Sequence, residues 1–327
     1  MRKQEIGDDI AVFGNTSTKH IIGGICESLD IDPGKIYLGR HSDGEIKLQF
    51  QENIRNQTIF IVANTGPESD AMMELMLMVD AARRSSADKI IVVIPYYGYA
   101  RQERKDRPRV SIAARMLADV LQSVGVDHLV FTDLHAAAIQ GFTTIPSDHI
   151  YARKTLLEYI RGRYQDEMSM LMLMSTDAGG AKMCQAYANR LGIPYGLIDK
   201  RRPRANVSEV MNVIGDVKDK VCLFIDDMID TAGSICHGSD AVLERGALMC
   251  DAMATHGILS GPAIDNLNRS SLRKIVVTDT LNIQDKADQC NKLEVVSLIP
   301  VWSDVVRCMC HGESLAKLFE EDHLVYK

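Results

Sequence analysis

The sequence predicts an α/β protein with two domains, each built on a mainly parallel β-sheet flanked by helices. Short apolar runs alternate with helical patterns along the chain, which is the rhythm of a parallel sheet covered by helices. The chain has 327 residues, more than a single hydrophobic core usually holds, so two domains are expected. With 46% hydrophobic and 25% charged residues, the composition is that of an ordinary globular protein.

The first half of the chain contains five strand patterns separated by helical patterns. Apolar runs occur at residues 10–13, 35–38, 58–62, 90–94 and 129–132, and helical patterns lie near residues 18–29, 69–84 and 112–124. Residues 39–45 join two strand patterns and predict a hairpin loop, which carries two carboxylates. This order predicts a parallel sheet covered by helices.

The second half repeats this architecture after Ile145 and Pro146. Its strand patterns lie near residues 170–174, 195–198, 221–225, 248–253 and 274–277. No Gly/Ser linker or low-complexity tract separates the halves, so a boundary near residues 147–152 rests on the repeated architecture alone. The sequence therefore predicts one domain over residues 1–150 and a second over residues 151–300.

The most informative stretch is the apolar run at residues 221–225, followed by polar residues and a helical pattern over about 234–244. We expect a buried strand with a polar turn at its carboxyl end. Backbone N–H groups and the positive end of the helix dipole can bind a phosphate there without a lysine. Asp226, Asp227 and Asp230 can accept hydrogen bonds from sugar hydroxyls or hydrated magnesium. The alternative is an acidic turn that only caps the helix.

Other polar segments also follow predicted strands. Residues 95–109 become aromatic and then basic, which suits an anionic ligand, although a solvated charged loop is the simpler explanation. His135 follows the next strand, and a lone histidine is more often structural than a ligand. Asp177 follows the first strand of the second half beside small residues. Residues 199–206 hold four cations in five positions, with a proline that disfavours helix, so this loop is suited to close over a polyphosphate.

Composition also excludes several function classes. The net charge of −7 argues against a general nucleic-acid-binding protein. The eight cysteines are scattered and imply no disulfide framework. Neither a signal peptide nor an apolar run near the ~18 residues that span a bilayer is found, so we expect a cytoplasmic protein with no membrane partner. The glycine-rich motifs GxxxxGK[ST] and GxGxxG are missing, so any nucleotide binds without those loops.

The loop at residues 226–234 resembles the phosphoribosyl-pyrophosphate loop of two groups, the type I phosphoribosyltransferases and the ribose-phosphate pyrophosphokinases. The whole chain, in order, resembles the second group, also called phosphoribosyl-pyrophosphate synthetases. This resemblance implies two type I phosphoribosyltransferase-like domains, with residues of about 301–316 returning to the first, and a homo-oligomer, a hexamer built from dimers. The segments that carry it are residues 42–45, 94–102, 133–136, 140–142, 177–180, 199–203, 206–211, 226–234 and 255–263.

The resemblance also implies an activity and a set of site residues. Members of this family move the β,γ-diphosphoryl group of ATP onto the anomeric hydroxyl of ribose 5-phosphate and release AMP, and the product feeds nucleotide, histidine and tryptophan synthesis. By matching positions, the residues are His135 and Asp177 for magnesium; His41, Asp43, Glu45, Arg101 and Gln102 for ATP; Asp226, Asp227, Asp230, Thr231, Ala232, Gly233 and Ser234 for ribose 5-phosphate; and Lys200 and Arg202 for catalysis.

This chain departs from the family pattern at several positions. His41 stands where the family usually has a phenylalanine that stacks on adenine, and Thr176 replaces a common proline. Two other enzyme or subunit classes stay open: a phosphoribosyltransferase, and a non-catalytic regulatory subunit that copies the synthetase fold. The cationic loop at residues 200–204 argues against the first. The presence of Lys200 and Arg202 together with both magnesium positions argues against the second.

Overall fold

The computed structural model describes residues 7, 9–201 and 210–318 and confirms the predicted α/β class. Contacts divide the chain into two compact units. The first contains the residues up to Ala152 together with the segment that starts at Leu298, and the second contains Arg153–Ser297. Each unit has its own main sheet. Within the described residues, no helix is long and apolar enough to cross a membrane.

The first unit is built on a five-stranded sheet. Its elements are β1 (Ile10–Gly14), α1 (Lys19–Leu29), β2 (Ile36–Arg40), β3 (Ile46–Phe50), β4 (Thr58–Val62), α2 (Ser69–Arg84), β5 (Lys89–Ile94), α3 (Ala113–Val124), β6 (His128–Thr132) and β7 (Ser147–Ile150). The strand order is β1-β4-β5-β6-β7, all parallel, and β2 and β3 form a separate antiparallel hairpin. Phe60, Val92 and Phe131 are fully buried, as expected for strands with both faces covered.

The second unit is built on a seven-stranded sheet. Its elements are α4 (Arg153–Arg163), β8 (Leu171–Ser175), α5 (Ala181–Leu191), β9 (Tyr195–Arg201), β10 (Val210–Ile214), β11 (Val221–Ile229), α6 (Gly233–Glu244), β12 (Met249–Gly257), α7 (Ala263–Arg269), β13 (Ile275–Thr278), α8 (Gln284–Ala287) and β14 (Leu293–Val296). The order is β10-β9-β8-β11-β12-β13-β14. All neighbours pair in parallel except β9 and β10, which are antiparallel.

The last long helix, α9 (Ile299–Cys310), packs against α1 in the first unit. Trp302 is fully buried, and its indole Nε1 donates a hydrogen bond to Thr132 Oγ1 at the end of β6, at 3.0 Å. Gly24 on α1 faces Ile299, where an added Cβ would lie 2.7 Å from the isoleucine Cδ1. The glycine therefore allows the two helices to approach closely.

The prediction that a polar turn begins at Asp226 is wrong. Strand β11 continues to Ile229, because β12 also continues and pairs with it, Asp226 opposite Ala254 and Ile229 opposite Gly257. Asp226 and Asp227 therefore lie on extended backbone at the end of a strand, and the turn itself is shorter than expected. A second difference is β7, an edge strand formed by the polar sequence Ser-Asp-His-Ile, which carries no continuous apolar run to signal it.

Candidate active site

The carboxyl edge of the second unit's sheet contains a topological switch point between β8 and β11. From β8 the chain runs through α5 to β9 on one side, whereas from β11 it runs through α6 to β12 on the other. In open α/β sheets, ligands bind in the crevice outside the carboxyl ends of the strands at such a point. Two polar loops flank this crevice, one after Ser175 and one after Ile229.

The loop after β11 ends at the first turn of α6. Ala232 adopts a left-handed conformation, with φ +62°, and is the N-cap of the helix. This conformation is uncommon for a residue other than glycine and costs roughly 1 kcal/mol or more, and it concentrates at ligand-binding sites. Thr231 and Ser234 are exposed on either side of it. The orphan N–H groups of the first helical turn are therefore adjacent to two hydroxyl donors.

Two acids of this segment, Asp226 and Asp230, accept hydrogen bonds from neutral donors. Asp226 is half-buried; its Oδ2 accepts a hydrogen bond from Thr176 Oγ1 at 2.6 Å, and its Oδ1 accepts one from the backbone N–H of Asp227 at 2.9 Å. Burial raises the pKa of Asp226 to about 7; the Asp227 carboxylate adds to this rise and the Thr176 hydroxyl opposes it. Asp230 accepts a hydrogen bond from the Ser260 hydroxyl.

Residues after β12 donate hydrogen bonds to the backbone of this loop. The backbone N–H of Ser260 donates to the Asp230 carbonyl at 3.0 Å, and Asn266 Nδ2 donates to the Thr231 carbonyl at 2.9 Å. Sequence reasoning assigned no role to Ser260 or Asn266, and it noted Thr176 only as a departure from the family pattern. Their contacts follow from the strand order, because β8 and β12 are the two neighbours of β11.

Asp177 lies on the loop after β8, at the same edge. Its side chain is exposed, and its Oδ1 accepts a hydrogen bond from the Gly180 backbone N–H at 3.0 Å. Ser175 Oγ donates to the Asp177 carbonyl at 2.7 Å. These two bonds fix the orientation of the loop. The second unit thus brings Asp177 and the segment at residues 226–234 to one edge of one sheet.

One predicted catalytic residue, Lys200, lies near the end of β9. This strand is parallel to β8, so its carboxyl end lies at the edge that holds Asp177. The backbone of Lys200 belongs to the strand and pairs with Met211 of β10. The backbone of Lys200 thus lies at the edge where its predicted role requires it, whereas Arg202 lies outside the described residues.

In the first unit, three of the predicted ATP-binding residues lie in the turn between β2 and β3. His41, Asp43 and Glu45 are exposed, and the turn is closed by a hydrogen bond from the His41 N–H to the Glu45 carbonyl at 2.8 Å. Arg40, at the end of β2, forms an ion pair with Asp70 in the first turn of α2. Since α2 follows the carboxyl end of β4, this pair holds the turn near the carboxyl edge of the sheet.

The other predicted residues of the first unit follow adjacent strands, β5 and β6. Arg101 and Gln102 are exposed on the loop after β5, and His135 is exposed on the loop after β6. The Leu134 N–H beside His135 donates to His149 Nε2 at 2.8 Å, which fixes this loop on the edge strand β7. The first unit therefore presents its own set of predicted site residues at the carboxyl edge of its sheet.

Comparisons with known proteins agree with this geometry. Residues 10–125 match the model of the N-terminal domain of ribose phosphate pyrophosphokinase, and residues 185–320 match that of a phosphoribosyl synthetase-associated domain. A ribose-phosphate pyrophosphokinase of Chlorobaculum tepidum is 46% identical over 286 residues, which are 88% of this chain and 87% of that protein. This chain belongs to the ribose-phosphate pyrophosphokinase family.

Other members of the ribose-phosphate pyrophosphokinase family match almost end to end. The protein of Ralstonia nicotianae is 42% identical over 316 residues, 96% of this chain and 99% of its own length. The crystal structure of the phosphoribosylpyrophosphate synthetase of Mycobacterium smegmatis has a TM-score of 0.87 at 35% identity and covers 93% of this chain and 100% of its own. The family and the fold class predicted from the motifs are confirmed, and the phosphoribosyltransferase alternative is set aside.

Proposed function

We propose that this chain transfers the β,γ-diphosphoryl group of ATP to the anomeric hydroxyl of ribose 5-phosphate, which yields phosphoribosyl pyrophosphate and AMP. Family membership identifies the chain as an enzyme of the transferase class. The observation that carries the proposal is the segment at residues 226–234. There, acids at the end of β11, the left-handed Ala232 and the first turn of α6 lie together at the switch point of the sheet.

Ribose 5-phosphate is assigned to this segment. The N–H groups and hydroxyls of Thr231 and Ser234 suit the 5-phosphate, and Gly233 lets that phosphate approach the backbone closely. Asp226 and Asp227 are acceptors when ionised, so they suit the vicinal hydroxyls of the ribose ring. Asp230 braces the turn through its hydrogen bond with Ser260.

ATP is assigned to the carboxyl edge of the first unit's sheet. Arg101 supplies a positive charge for the polyphosphate, and Gln102 supplies an amide that both donates and accepts hydrogen bonds. The imidazole of His41 offers a flat face for adenine, and the carboxylates of Asp43 and Glu45 can accept hydrogen bonds from N–H or hydroxyl groups of the nucleotide. All five side chains are exposed.

A magnesium-associated position is assigned in each unit separately, to Asp177 in the second and to His135 in the first. Proteins commonly hold this ion through one or two carboxylates together with substrate phosphates. Asp177 fits such a role, because its carboxylate is exposed at the switch point and oriented by the Gly180 N–H. His135 offers an exposed imidazole. When bound, the ion neutralises negative charge on the transferring polyphosphate.

Catalysis is assigned to Lys200 and Arg202. Phosphoryl-type transfer is catalysed mainly by in-line positioning and charge neutralisation, so cations beside the transferring group are a sufficient design. The backbone of Lys200 lies at the sheet edge that carries Asp177 and the segment at residues 226–234. This shared edge supports the assignment.

We further propose the organisation of the protein. Residues 1–150, with about 301–316, form the ATP-binding domain, and residues 151–300 form the ribose-phosphate domain. We propose a cytoplasmic homo-oligomer, a hexamer built from dimers, whose partners are ATP and ribose 5-phosphate and include neither nucleic acid nor membrane.

A second candidate function is a non-catalytic subunit associated with a synthetase. One observation favours it: the family model that matches residues 185–320 is described as a phosphoribosyl synthetase-associated domain. The enzyme is favoured by relatives named ribose-phosphate pyrophosphokinase at 42% and 46% identity and by the retained Lys200 and Arg202.

One incubation separates these functions. The purified chain is mixed with ATP, Mg²⁺ and ribose 5-phosphate, and AMP, ADP and phosphoribosyl pyrophosphate are quantified by chromatography, with a control that lacks ribose 5-phosphate. We expect AMP and phosphoribosyl pyrophosphate in equal amounts, because attack at the β-phosphorus makes AMP the leaving group. ADP as the stoichiometric product would rule out diphosphoryl transfer. Binding of both substrates without turnover would favour the associated subunit.

A further inference from the structure

We propose that Thr176 is a positioning residue, which orients the carboxylate of Asp226 for ribose 5-phosphate; the proposal rests on the function proposed above. Thr176 follows β8 directly and is only 5% exposed. Its hydroxyl reaches across to β11 and donates to Asp226 Oδ2 at 2.6 Å, while the Asp227 N–H donates to Oδ1 at 2.9 Å. Each oxygen of this carboxylate therefore accepts a hydrogen bond from a neutral donor, one at the end of β8 and one in β11.

Two donors restrict this carboxylate more than one donor does. The terminal torsion of an aspartate is broad, so a carboxylate held through one oxygen can rotate about its Cβ–Cγ bond. A bond to each oxygen fixes the plane of the group. An ionised carboxylate oxygen accepts about two hydrogen bonds, so the remaining acceptor directions of Asp226 are presented in one orientation. Such preorganisation lowers the cost of binding a pair of vicinal hydroxyls.

The Thr176 hydroxyl differs from the buried hydroxyl of Thr278 in the same sheet. Thr278, at the end of β13, is fully buried and donates to the backbone carbonyl of Thr255 at 2.7 Å. That bond joins a side chain to the main chain and involves no assigned binding group. Thr176 instead donates to a side chain assigned to the substrate. Thr278 therefore provides a matched control for the loss of a buried threonine hydroxyl.

The first test compares Thr176→Val, Thr176→Ser and Thr278→Val. Steady-state kinetics and calorimetric titration with ribose 5-phosphate measure KM and Kd for each. We expect Thr176→Val to weaken the binding of ribose 5-phosphate about tenfold, as losing a hydrogen bond to a charged group does. The KM for ATP should stay within about twofold of its value in the unaltered protein. Thr176→Ser keeps the hydroxyl and should restore binding. Equal affinities for Thr176→Val and Thr278→Val would overturn the proposal.

The second test asks whether Thr176 acts through Asp226. In an Asp226→Ala background, adding Thr176→Val should change ribose 5-phosphate affinity by less than about twofold, because the acceptor of the Thr176 hydroxyl is already gone. An undiminished tenfold loss in that background would contradict the proposal. If Thr176→Val fails to fold, Thr176→Ala takes its place in the same cycle. Failure of the proposed function would instead appear in the unaltered protein, as a lack of AMP formation.

Discussion

The two ends of the second unit's sheet hold acidic side chains in opposite ways. At the amino end, Asp251 is fully buried, and the Arg273 guanidinium contacts both of its oxygens, at 2.6 and 3.1 Å. At the carboxyl end, Asp226 is held by the Thr176 hydroxyl and the Asp227 N–H. One acid is neutralised by a fixed cation, and the other is held by neutral donors.

The amino end has the chemistry of a structural network. Arg273 also contacts both oxygens of Glu167, at 2.9 and 3.0 Å, and these hydrogen bonds lower the pKa of Glu167. Tyr164 donates its hydroxyl to Asp251 at 2.8 Å. The network joins three segments that are distant in sequence: the stretch before β8, strand β12 and the stretch before β13. One guanidinium bridges both carboxylates within the protein, so each acid has its cation without a ligand.

At the carboxyl end, the acid that we assign to ribose 5-phosphate has a raised pKa. Burial raises the pKa of Asp226 to about 7, so ionising this acid at neutral pH costs the folded state free energy. Strained or electrostatically costly groups are typical of functional sites, where they reduce stability in exchange for binding. Under the proposed assignment, the acid with a structural role is paired with a guanidinium, and the acid with a binding role is held by a hydroxyl and a backbone N–H.

The largest change is expected in turnover, and it tests whether residues at the carboxyl end of the sheet catalyse the reaction. Lys200→Ala or Arg202→Ala should lower turnover by roughly two to five orders of magnitude, as losing a transition-state cation does in other phosphoryl-transfer enzymes. The KM values should change far less, since the cation acts on charge that develops in the transition state. Steady-state rates of AMP formation measure both quantities.

Arg273→Ala is the matched control, because it removes a cation from the other end of the same sheet. Its folded fraction should keep near-normal turnover. Near-normal turnover in both Lys200→Ala and Arg202→Ala, with a loss of ATP affinity, would show that these residues only dock the nucleotide. The functional side of the comparison would then lose its main support.

The second effect is on stability, at the amino end. Arg273→Ala should lower the free energy of unfolding by about 3–5 kcal/mol, because it leaves the Asp251 carboxylate buried without its cation. Urea unfolding of both proteins measures the difference. Arg115→Ala provides the control, since it removes an exposed pair with Asp119 on α3, and exposed ion pairs contribute little to stability. Equal losses in the two variants would mean that the Arg273 network is no more than a surface ion pair.

Much of the fold could be predicted because its signal is local. The apolar run at Thr58–Val62 and the helical pattern at Ser69–Arg84 coincide with β4 and α2, and buried parallel strands need apolar residues on both faces. The placement of site loops also followed, because parallel strands end at a common edge. The family resemblance then assigned roles that no local pattern contains.

The contacts that organise the site could not be predicted in this way. The bond between Thr176 and Asp226 spans 50 positions, and it depends on β8 and β11 being neighbours. Asp226 has a low intrinsic preference for strands, yet pairing with β12 extends β11 through it. The Arg273 network likewise joins residues that no periodicity links. Side-chain contacts that depend on strand order cannot be predicted from local sequence patterns.

The smallest change is expected in how stability depends on pH, and it should have opposite signs for acids at the two ends of the sheet. The folded-state pKa of Asp226, about 7, lies above its ordinary value of 3.8. The protonated Asp226 therefore contributes its full stability below pH 3.8, and this contribution is lost as pH rises through about 7. Asp226→Asn removes this titration. The variant should therefore gain stability relative to the unaltered protein between about pH 4 and 8, by roughly 1–2 kcal/mol after allowing for solvent access to the group.

Glu167→Gln should show the opposite sign. Arg273 lowers the pKa of Glu167, so this acid stabilises the fold above its ordinary pKa, and that contribution is lost as pH falls through the lowered value. The disadvantage of Glu167→Gln should accordingly be largest at neutral pH and shrink in acid. Urea unfolding without magnesium or substrates, at several pH values, measures both variants. If both differences ran in the same direction with pH, the two ends of the sheet would not differ in how their acids are neutralised. A cation partner lowers the pKa of a carboxyl group. An acid held by neutral donors has a raised pKa when the effect of burial is larger than the effect of those donors.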